Sequence, residues 1–281
     1  MKRSDEPNLK LETRNSKLIT SRDNSLLRLA RAAREGKTND LIFVEGLRLC
    51  EEALRSGLHI EAVIYSEEIA EKERAVRFLE AVTSVCDRLT QVSEKLLATV
   101  SYTKTPQGII TLARPPESGK TRLEARGDRE PLIVIMHGIN NPVNVGAIMR
   151  SAEAAGATGV ITITNTAEPF SPKALRGAMG SAFRLPIWKD AGYADALTWC
   201  AKHGIKTVAA DVKATSLHTD IDWKMPRALI LGPESSGLSP EEVAAVGEGV
   251  RVGMHGSVES LNVGAAAAIL LYEAARQRTR Y

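Results

Sequence analysis

LIVIMHGINNPVNVGAIMRSAEAAG, residues 132–156, is the stretch that decides the fold class. LIVIM (132–136) is a continuous apolar run, the signature of a strand buried on both faces of a parallel sheet. NNPVNVGAIMRSAEAAG (140–156) follows almost at once. Asn140, Asn141 and Pro142 form a turn, Asn144 is placed to cap a helix, and Val145–Ala155 reads as that helix. Gly146 permits another backbone to come close, and Arg150 projects from further along. Strand running directly into helix is the unit of α/β architecture, and the pattern repeats downstream. VITIT (160–164), KTVAA (206–210), ALIL (228–231) and VRVGM (250–254) are candidate strands, with a helix over Ala194–His203 between them. SPEE (239–242) has the form of a capping box, Ser239 at the N-cap and Glu242 three residues on, and predicts a helix over 239–246. A last helix runs from near Asn262 to Arg276.

The first half alternates in the same way. SLLRLARAAR, from Asn24 onward, is an amphipathic helix, LIFVEG (41–46) a strand, LRLCEEALRSG (47–57) a helix and IEAVIY (60–65) a strand. A charged helix follows around Glu67–Ala81, and GIITLAR (108–114) closes a small α/β domain. Residues 115–130 concentrate Pro115, Pro116, Gly119 and Gly127 among charges, which predicts a linker. The expected organisation is a flexible arm over 1–20, a small domain over 21–114, that linker, and a larger domain over 131–281.

Hydrophobic residues make up 43% and charged residues 25%, enough for sizeable cores and against wholesale disorder. Aromatics are only 4%, so a surface that recognises RNA mainly by stacking is not evident. The formal net charge of +3 does not by itself specify a nucleic-acid partner. Residues 1–40 hold ten Lys and Arg against six Asp and Glu. Arg22, Arg28, Arg31 and Arg34 in that segment are candidates for phosphate contacts, beside the plainer reading of a solvated helix face. Cys50, Cys86 and Cys200 are widely spaced, with no metal-ligand pattern and the sparse usage of a reducing compartment. No apolar signal core opens the chain and no apolar run is long enough to span a bilayer, so the expectation is a soluble cytoplasmic protein without a metal.

Two further stretches carry chemistry. LILGPESSGLSPEE (229–242) runs from a buried strand into small residues whose exposed amides suit a ligand's adenine or ribose, with Glu234 a polar anchor. VRVGMHGSVESLNVGAAAA (250–268) sets Ser260 and Asn262 on either side of Leu261 at a helix start, where a phosphate or hydroxyl can be held. Each also reads as an ordinary loop or N-cap when taken alone. Ligands gather at the carboxyl ends of parallel strands, so all three stretches would face one sheet edge if their strands are neighbours.

Taken in order, NPVNVGAIMRSAEAAG, LGPESSGL and MHGSVESLNVGAAAAI resemble the SPOUT superfamily, specifically the TrmH (SpoU) type of RNA ribose 2′-O-methyltransferase. SPKALRGAMGSAFRLPI (171–187) is similar to the family's middle segment. SRDNSLLRLARAA, FVEGLRLCEEAL and TPQGIITLA resemble its accessory substrate-binding domain, a small RNA-binding fold shared with certain ribosomal proteins. The resemblance implies a C-terminal parallel-sheet domain with a deep trefoil knot, an exception to the rule against threading, and a smaller N-terminal α/β RNA-binding domain. It implies a homodimer with the active site near the interface, and S-adenosylmethionine as cofactor. Carried over by position, the cofactor contacts are Leu231, Gly232, Val252, Met254 and Leu261, and the catalytic set is Arg150, Asn144, Glu234, Ser260 and Asn262. Val143 stands where the family often has Gly, and Gly253 where it often has Pro; neither change removes a functional group.

A guanidinium is too weak an acid to serve comfortably as a base. Arg150 therefore fits better as a bidentate phosphate holder that stabilises charge developing on the hydroxyl oxygen. Asn144 and Asn262 would orient backbone and Arg150, Ser260 would touch substrate or cofactor, and Glu234 would tie the motif loops together. Lys173 and Arg176 are further candidates for phosphate contacts. His137 and His255 flank the motifs and invite a general-base role that the family pattern does not require, whereas His59, His203 and His218 read as structural or surface residues. The expected reaction is methylation of a ribose 2′-hydroxyl in structured RNA, ribosomal rather than transfer RNA. The alternatives are an idle RNA-binding protein of the same fold and a base-methylating relative. A dinucleotide oxidoreductase or a P-loop enzyme is excluded by the absence of G-x-G-x-x-G after the first strand of either half and of G-x-x-x-x-G-K-[ST].

Overall fold

Apolar strands and amphipathic helices alternate along this chain, and they assemble into two separate sheets. The computed structural model describes residues 17–38, 40–125 and 129–279. The chain divides into two compact units, one ending at Arg114 and the other beginning at Pro115.

The first unit contains β1 (Lys17–Ile19), α1 (Ser25–Arg34), β2 (Ile42–Glu45), α2 (Leu47–Arg55), β3 (Ile60–Ser66), α3 (Glu67–Ala70), α4 (Glu73–Val82), β4 (Leu89–Val92), α5 (Glu94–Ala98) and β5 (Ile109–Ala113). Its sheet has the order β1-β4-β3-β5-β2, parallel through β1, β4 and β3 and antiparallel at β5 and β2. Asn24 caps α1 by accepting from the Leu26 amide at 2.8 Å. The helix buries Leu26, Leu27, Ala30 and Ala33 in a core with Phe43, Ile64 and Leu112. Up to residue 16 the expected arm lies outside the described residues; Lys17–Ile19 is an edge strand paired with β4. The charged helix expected over Glu67–Ala81 is two helices, since Ser66 caps the first and the chain turns at Glu71 and Lys72. LTQV (89–92) gave no strand signal because two of its four residues are polar, yet it completes the sheet.

The second unit contains α6 (Lys120–Glu124), β6 (Leu132–Met136), α7 (Pro142–Ala154), β7 (Gly159–Ile163), α8 (Pro172–Ala178), α9 (Ser181–Arg184), β8 (Ile187–Ala191), α10 (Tyr193–Lys202), β9 (Lys206–Ala210), β10 (Arg227–Leu231), α11 (Pro240–Ala244), β11 (Glu248–Val250) and α12 (Val263–Arg278). Its sheet is parallel throughout, in the order β11-β9-β10-β6-β7-β8. Every residue of β6, β7 and β10 is buried, as continuous apolar runs require. The expected linker is only partly one: α6 falls within it, and Leu123 enters the core with Ile133 and Ile161. VRVGM forms strand only to Val250; from Arg251 the chain leaves the ladder, keeping one bridge to Leu217. Gly146 in α7 and Gly177 in α8 let two helices cross in near-contact, because a Cβ on Gly146 would lie 2.3 Å from the Ala174 carbonyl oxygen. No helix among the described residues is long and apolar enough to cross a membrane.

Candidate functional site

The three motif stretches leave the carboxyl ends of β6, β10 and β11. β6 and β10 are neighbours, β9 lies between β10 and β11, and all are parallel, so the loops share one sheet edge. There the loops after β10 and β11, with His137 just past β6, line a cavity of about 1370 Å³. Leu231, Gly232, Val252, Met254 and Leu261 line it, as do Glu234, Ser260 and Asn262. Gly232 has no room for a side chain, since a Cβ would lie 2.9 Å from both the Leu238 amide nitrogen and its Cγ. The loop 233–239 therefore folds back over the end of β10 and forms one wall of the cavity.

Asn144 and Arg150 lie outside the cavity lining. Asn141, not Asn144, caps α7: its side chain accepts from the Val143 amide at 3.0 Å, an arrangement set by Pro142 at the first helical position. Asn144 is buried in the first turn and accepts a 3.4 Å hydrogen bond from the Asn262 side chain, while its own Nδ2 is buried without a partner. Asn262 also caps α12 through the Gly264 amide at 2.9 Å. The first and third motifs are joined by this asparagine pair. Glu234 makes no hydrogen bond or ion pair among the described residues, so the expected tie between motif loops runs through other side chains. Arg150 stands exposed on α7, likewise without a partner among the described residues, on the face it shares with Val143 and Ala147.

The basic candidates separate. Arg31 donates to the Arg22 carbonyl at 2.7 Å, and Arg34 to the Val100 and Ser101 carbonyls at 3.1 Å. Arg22, Arg28, Lys173 and Arg176 have no side-chain partner among the described residues. Next to Arg34, within the first unit, sits a loop that carries no motif in the sequence. Buried Glu45 accepts from the Tyr102 amide at 2.8 Å and the Thr103 hydroxyl at 2.7 Å, which fixes a turn carrying exposed Tyr102 and Lys104.

Two more groups at the cavity were not anticipated. Asp211 and Lys213 enter its wall from the end of β9; that strand lies between two motif strands, so its carboxyl end was the available signal. His137, on the lining, contacts Glu242 at 2.6 Å through Nε2 and stacks on Tyr193 with ring centroids 5.0 Å apart. Burial works to raise the Glu242 carboxyl, but the Ser239 amide and the His137 ring outweigh it and hold it below its ordinary value. His255 is exposed and off the lining, and it gains no support as a base. Among the described residues no cluster of His, Cys, Asp or Glu could hold a metal ion.

A positively charged ligand suits this cavity. Asp211, Glu234, Glu242 and Glu259 line it against Lys213 and Arg251, and apolar Leu231, Val252, Leu261 and Leu270 give it a face for a flat ring.

Both units of the chain are similar to known proteins. A SpoU rRNA methylase family profile matches residues 131–272, and an MRM3-like substrate-binding domain profile matches 25–111. The chain is 30% identical to the 23S rRNA (guanosine(2553)-2′-O)-methyltransferase RlmP of Bacillus subtilis, covering 84% of this chain and 88% of that protein. It is 28% identical to the 23S rRNA (uridine(2479)-2′-O)-methyltransferase of Streptomyces viridochromogenes, over 84% and 82% of the two chains. Among solved structures, an AdoMet-bound rRNA methyltransferase from Sinorhizobium meliloti superposes with a TM-score of 0.82 at 28% identity, covering 93% of this chain and 98% of that one. An RNA 2′-O ribose methyltransferase superposes with a TM-score of 0.79 at 33% identity, over 93% and 99%. On its ordered motifs, its parallel sheet and these matches, the chain belongs to the SpoU rRNA methylase family.

Proposed function

We propose that this protein methylates a ribose 2′-hydroxyl of ribosomal RNA using S-adenosylmethionine. The observation that carries the reading is the convergence of eight motif residues from two loops on one acidic, partly apolar cavity. Four carboxylates against two basic side chains suit a ligand bearing a sulfonium and an ammonium, and the tight turn at Gly232 sets the 233–239 wall against them. When bound, the cofactor supplies an electrophilic methyl with a good leaving group.

The chain's own part is to bind, align and take up charge. Loops 231–239 and 251–262 hold the cofactor at the sheet edge. Aligning the ribose oxygen with the methyl supplies up to about 7–11 kcal/mol of the acceleration. Arg150 grips the phosphate beside the target ribose in a bidentate way and stabilises negative charge on the attacking oxygen, whose proton leaves to the phosphate or water. Glu234, exposed and unpaired, faces ligand rather than protein, and Ser260 contacts ligand from the opposite loop. Asn144 and Asn262 hold the two motif helices in register. Arg22, Arg28, Lys173, Arg176 and the Tyr102–Lys104 turn contact RNA backbone, and Arg31 and Arg34 brace the first unit's surface.

Arg150 lies off the cavity wall, and this favours a homodimer in which a second copy completes the site. Ala265, Ile269 and Tyr272 form an exposed stripe on α12, with Ile269 38% and Tyr272 57% exposed, close to α7. Covering that stripe brings the Arg150 face of one subunit toward the partner. The family's trefoil knot and a cytoplasmic site of action belong to the same reading.

The test is transfer from labelled S-adenosylmethionine to ribosomal RNA that lacks the native mark, comparing wild type with Arg150→Ala and mapping the product by nuclease digestion. A 2′-O-methylated nucleotide lost in the variant is expected; cofactor binding without transfer to any RNA would overturn the reading.

A further inference from the structure

His137 lies one residue past β6 and extends its ladder, its amide donating to the Leu231 carbonyl at 2.9 Å. Its Nε2 is 2.6 Å from Glu242 Oε1, and its ring stacks on Tyr193 at an interplanar angle of 29°. The Tyr193 hydroxyl donates to the Glu242 carbonyl oxygen at 3.1 Å. The other Glu242 carboxylate oxygen accepts from the Ser239 amide at 2.7 Å, and the Glu242 amide donates to the Ser239 hydroxyl at 3.2 Å. Glu242 is thus held at its carboxylate, carbonyl and amide at once.

This cluster matters because α11 has little else to hold it. It buries no residue of its own; only Leu238 before it and Val246 after it pack partly on the core. The next residue, Gly138, touches the start of the same loop: a Cβ there would lie 2.8 Å from Pro233 Cγ. His137 and Gly138 therefore fix both ends of the cavity wall, Pro233 and Glu242. Thr166 fixes this turn in its own place, accepting from the Gly138 amide at 3.1 Å and donating to the Met136 carbonyl at 2.9 Å.

We propose that His137, Tyr193 and Glu242 form a clasp that positions loop 233–239 for cofactor binding, so that His137 is a positioning residue and not a general base. The proposal rests on the cavity being the cofactor site. A hydrogen bond to a charged partner is worth roughly tenfold in an equilibrium constant. His137→Ala should therefore weaken S-adenosylmethionine affinity by about tenfold, and Tyr193→Phe, which removes a neutral bond, by about threefold.

The experiment is calorimetric titration of the full chain with S-adenosylmethionine, paired with steady-state kinetics on ribosomal RNA and a thermal melt of each variant. The expected result is a raised KM for cofactor with kcat and the KM for RNA within about twofold of wild type, since an interaction equal in ground and transition states moves binding alone. His137→Gln, which keeps a donor for Glu242, should recover most of the affinity. Tyr193→Phe carries the test should His137→Ala melt early. Unchanged cofactor affinity in both His137→Ala and Tyr193→Phe, or a loss of kcat with cofactor KM intact, would overturn the clasp while leaving the cofactor cavity standing. Wild type that binds no S-adenosylmethionine would overturn both readings.

Discussion

Arg150 is an exposed guanidinium with no partner among the described residues, and a side chain of that kind contributes little to the stability of its own subunit. Removing it tests chemistry with little confounding from folding. Arg150→Lys keeps the charge but loses the planar fork. Its single-turnover rate should fall by about a hundredfold, the effect of losing one donor aimed at developing charge, with the melting temperature unmoved. Near-normal turnover would remove the bidentate role. Gly232 is the opposite kind of residue, with no freedom at all. A methyl there meets Leu238 backbone and side chain at 2.9 Å. Gly232→Ala should displace the 233–239 wall and weaken S-adenosylmethionine binding by more than about tenfold in calorimetry, the affinity equivalent of about 1.4 kcal/mol.

Among the elements, α7 bears the closest packing. Its buried face carries Val145, Ile148, Met149 and Ala152, and Gly146 and Gly177 set how closely it lies on α8. The atoms facing a new Cβ at Gly146 are backbone and cannot swing aside. Gly146→Ala should cost about 1–3 kcal/mol as an overpacked site, measured by urea unfolding of the second unit's signal. An unchanged midpoint would show that the two helices can part freely. Much of this element was legible in the sequence: five apolar residues gave β6 to the residue, and the helix expected over Val145–Ala155 is α7, which begins three residues earlier, at Pro142. The cap was misassigned because Asn141 and Asn144 both have capping chemistry, and only the Pro142 backbone decides between them. β8, IWKDA, and β4, LTQV, escaped notice because short strands with polar residues carry no period.

At the scale of the whole molecule, α12 enters both the proposed dimer and the packing of its own unit. If the proposed homodimer forms through its exposed stripe, wild type sediments as a dimer, and Tyr272→Asp should shift the sedimentation coefficient to that of a monomer and abolish transfer; a variant that remains dimeric would move the interface elsewhere. Its last turns also clamp the segment before β10. Gln277 donates to the Ile221 carbonyl at 3.0 Å, and Arg278 binds the carbonyls of Trp223, Met225, Glu130 and Pro131 at 2.6–2.9 Å. Within that clamp the Arg276 guanidinium, followed by the Gln277 amide, holds the Glu273 carboxyl at about 2, below its ordinary 4.5. A depressed carboxyl stabilises the fold above the unfolded value, and the contribution is lost as pH falls from about 4.5 through about 2. Arg276→Ala should therefore lower stability above about pH 4.5 and leave less to lose as pH falls toward about 2, a small effect because Arg276 is 67% exposed and screened. A variant whose urea-unfolding stability falls between about pH 4.5 and about 2 as steeply as that of wild type would remove Glu273 as the source.

The sequence by itself determined the α/β class of both halves, most strands and helices, and eight residues that line one cavity, because periodicity and turn chemistry are local. Tertiary structure alone decided which of those residues meet. It placed β9 between two motif strands and so brought Asp211 and Lys213 to the cavity. It paired Asn144 with Asn262, 118 residues apart, and His137 with Glu242, 105 residues apart. It also left Arg150 outside the wall that the other motifs build. Long-range pairs of this kind depend on strand order, and strand order is set by the burial of whole sheet faces, a sum over many residues to which no single motif holds the key.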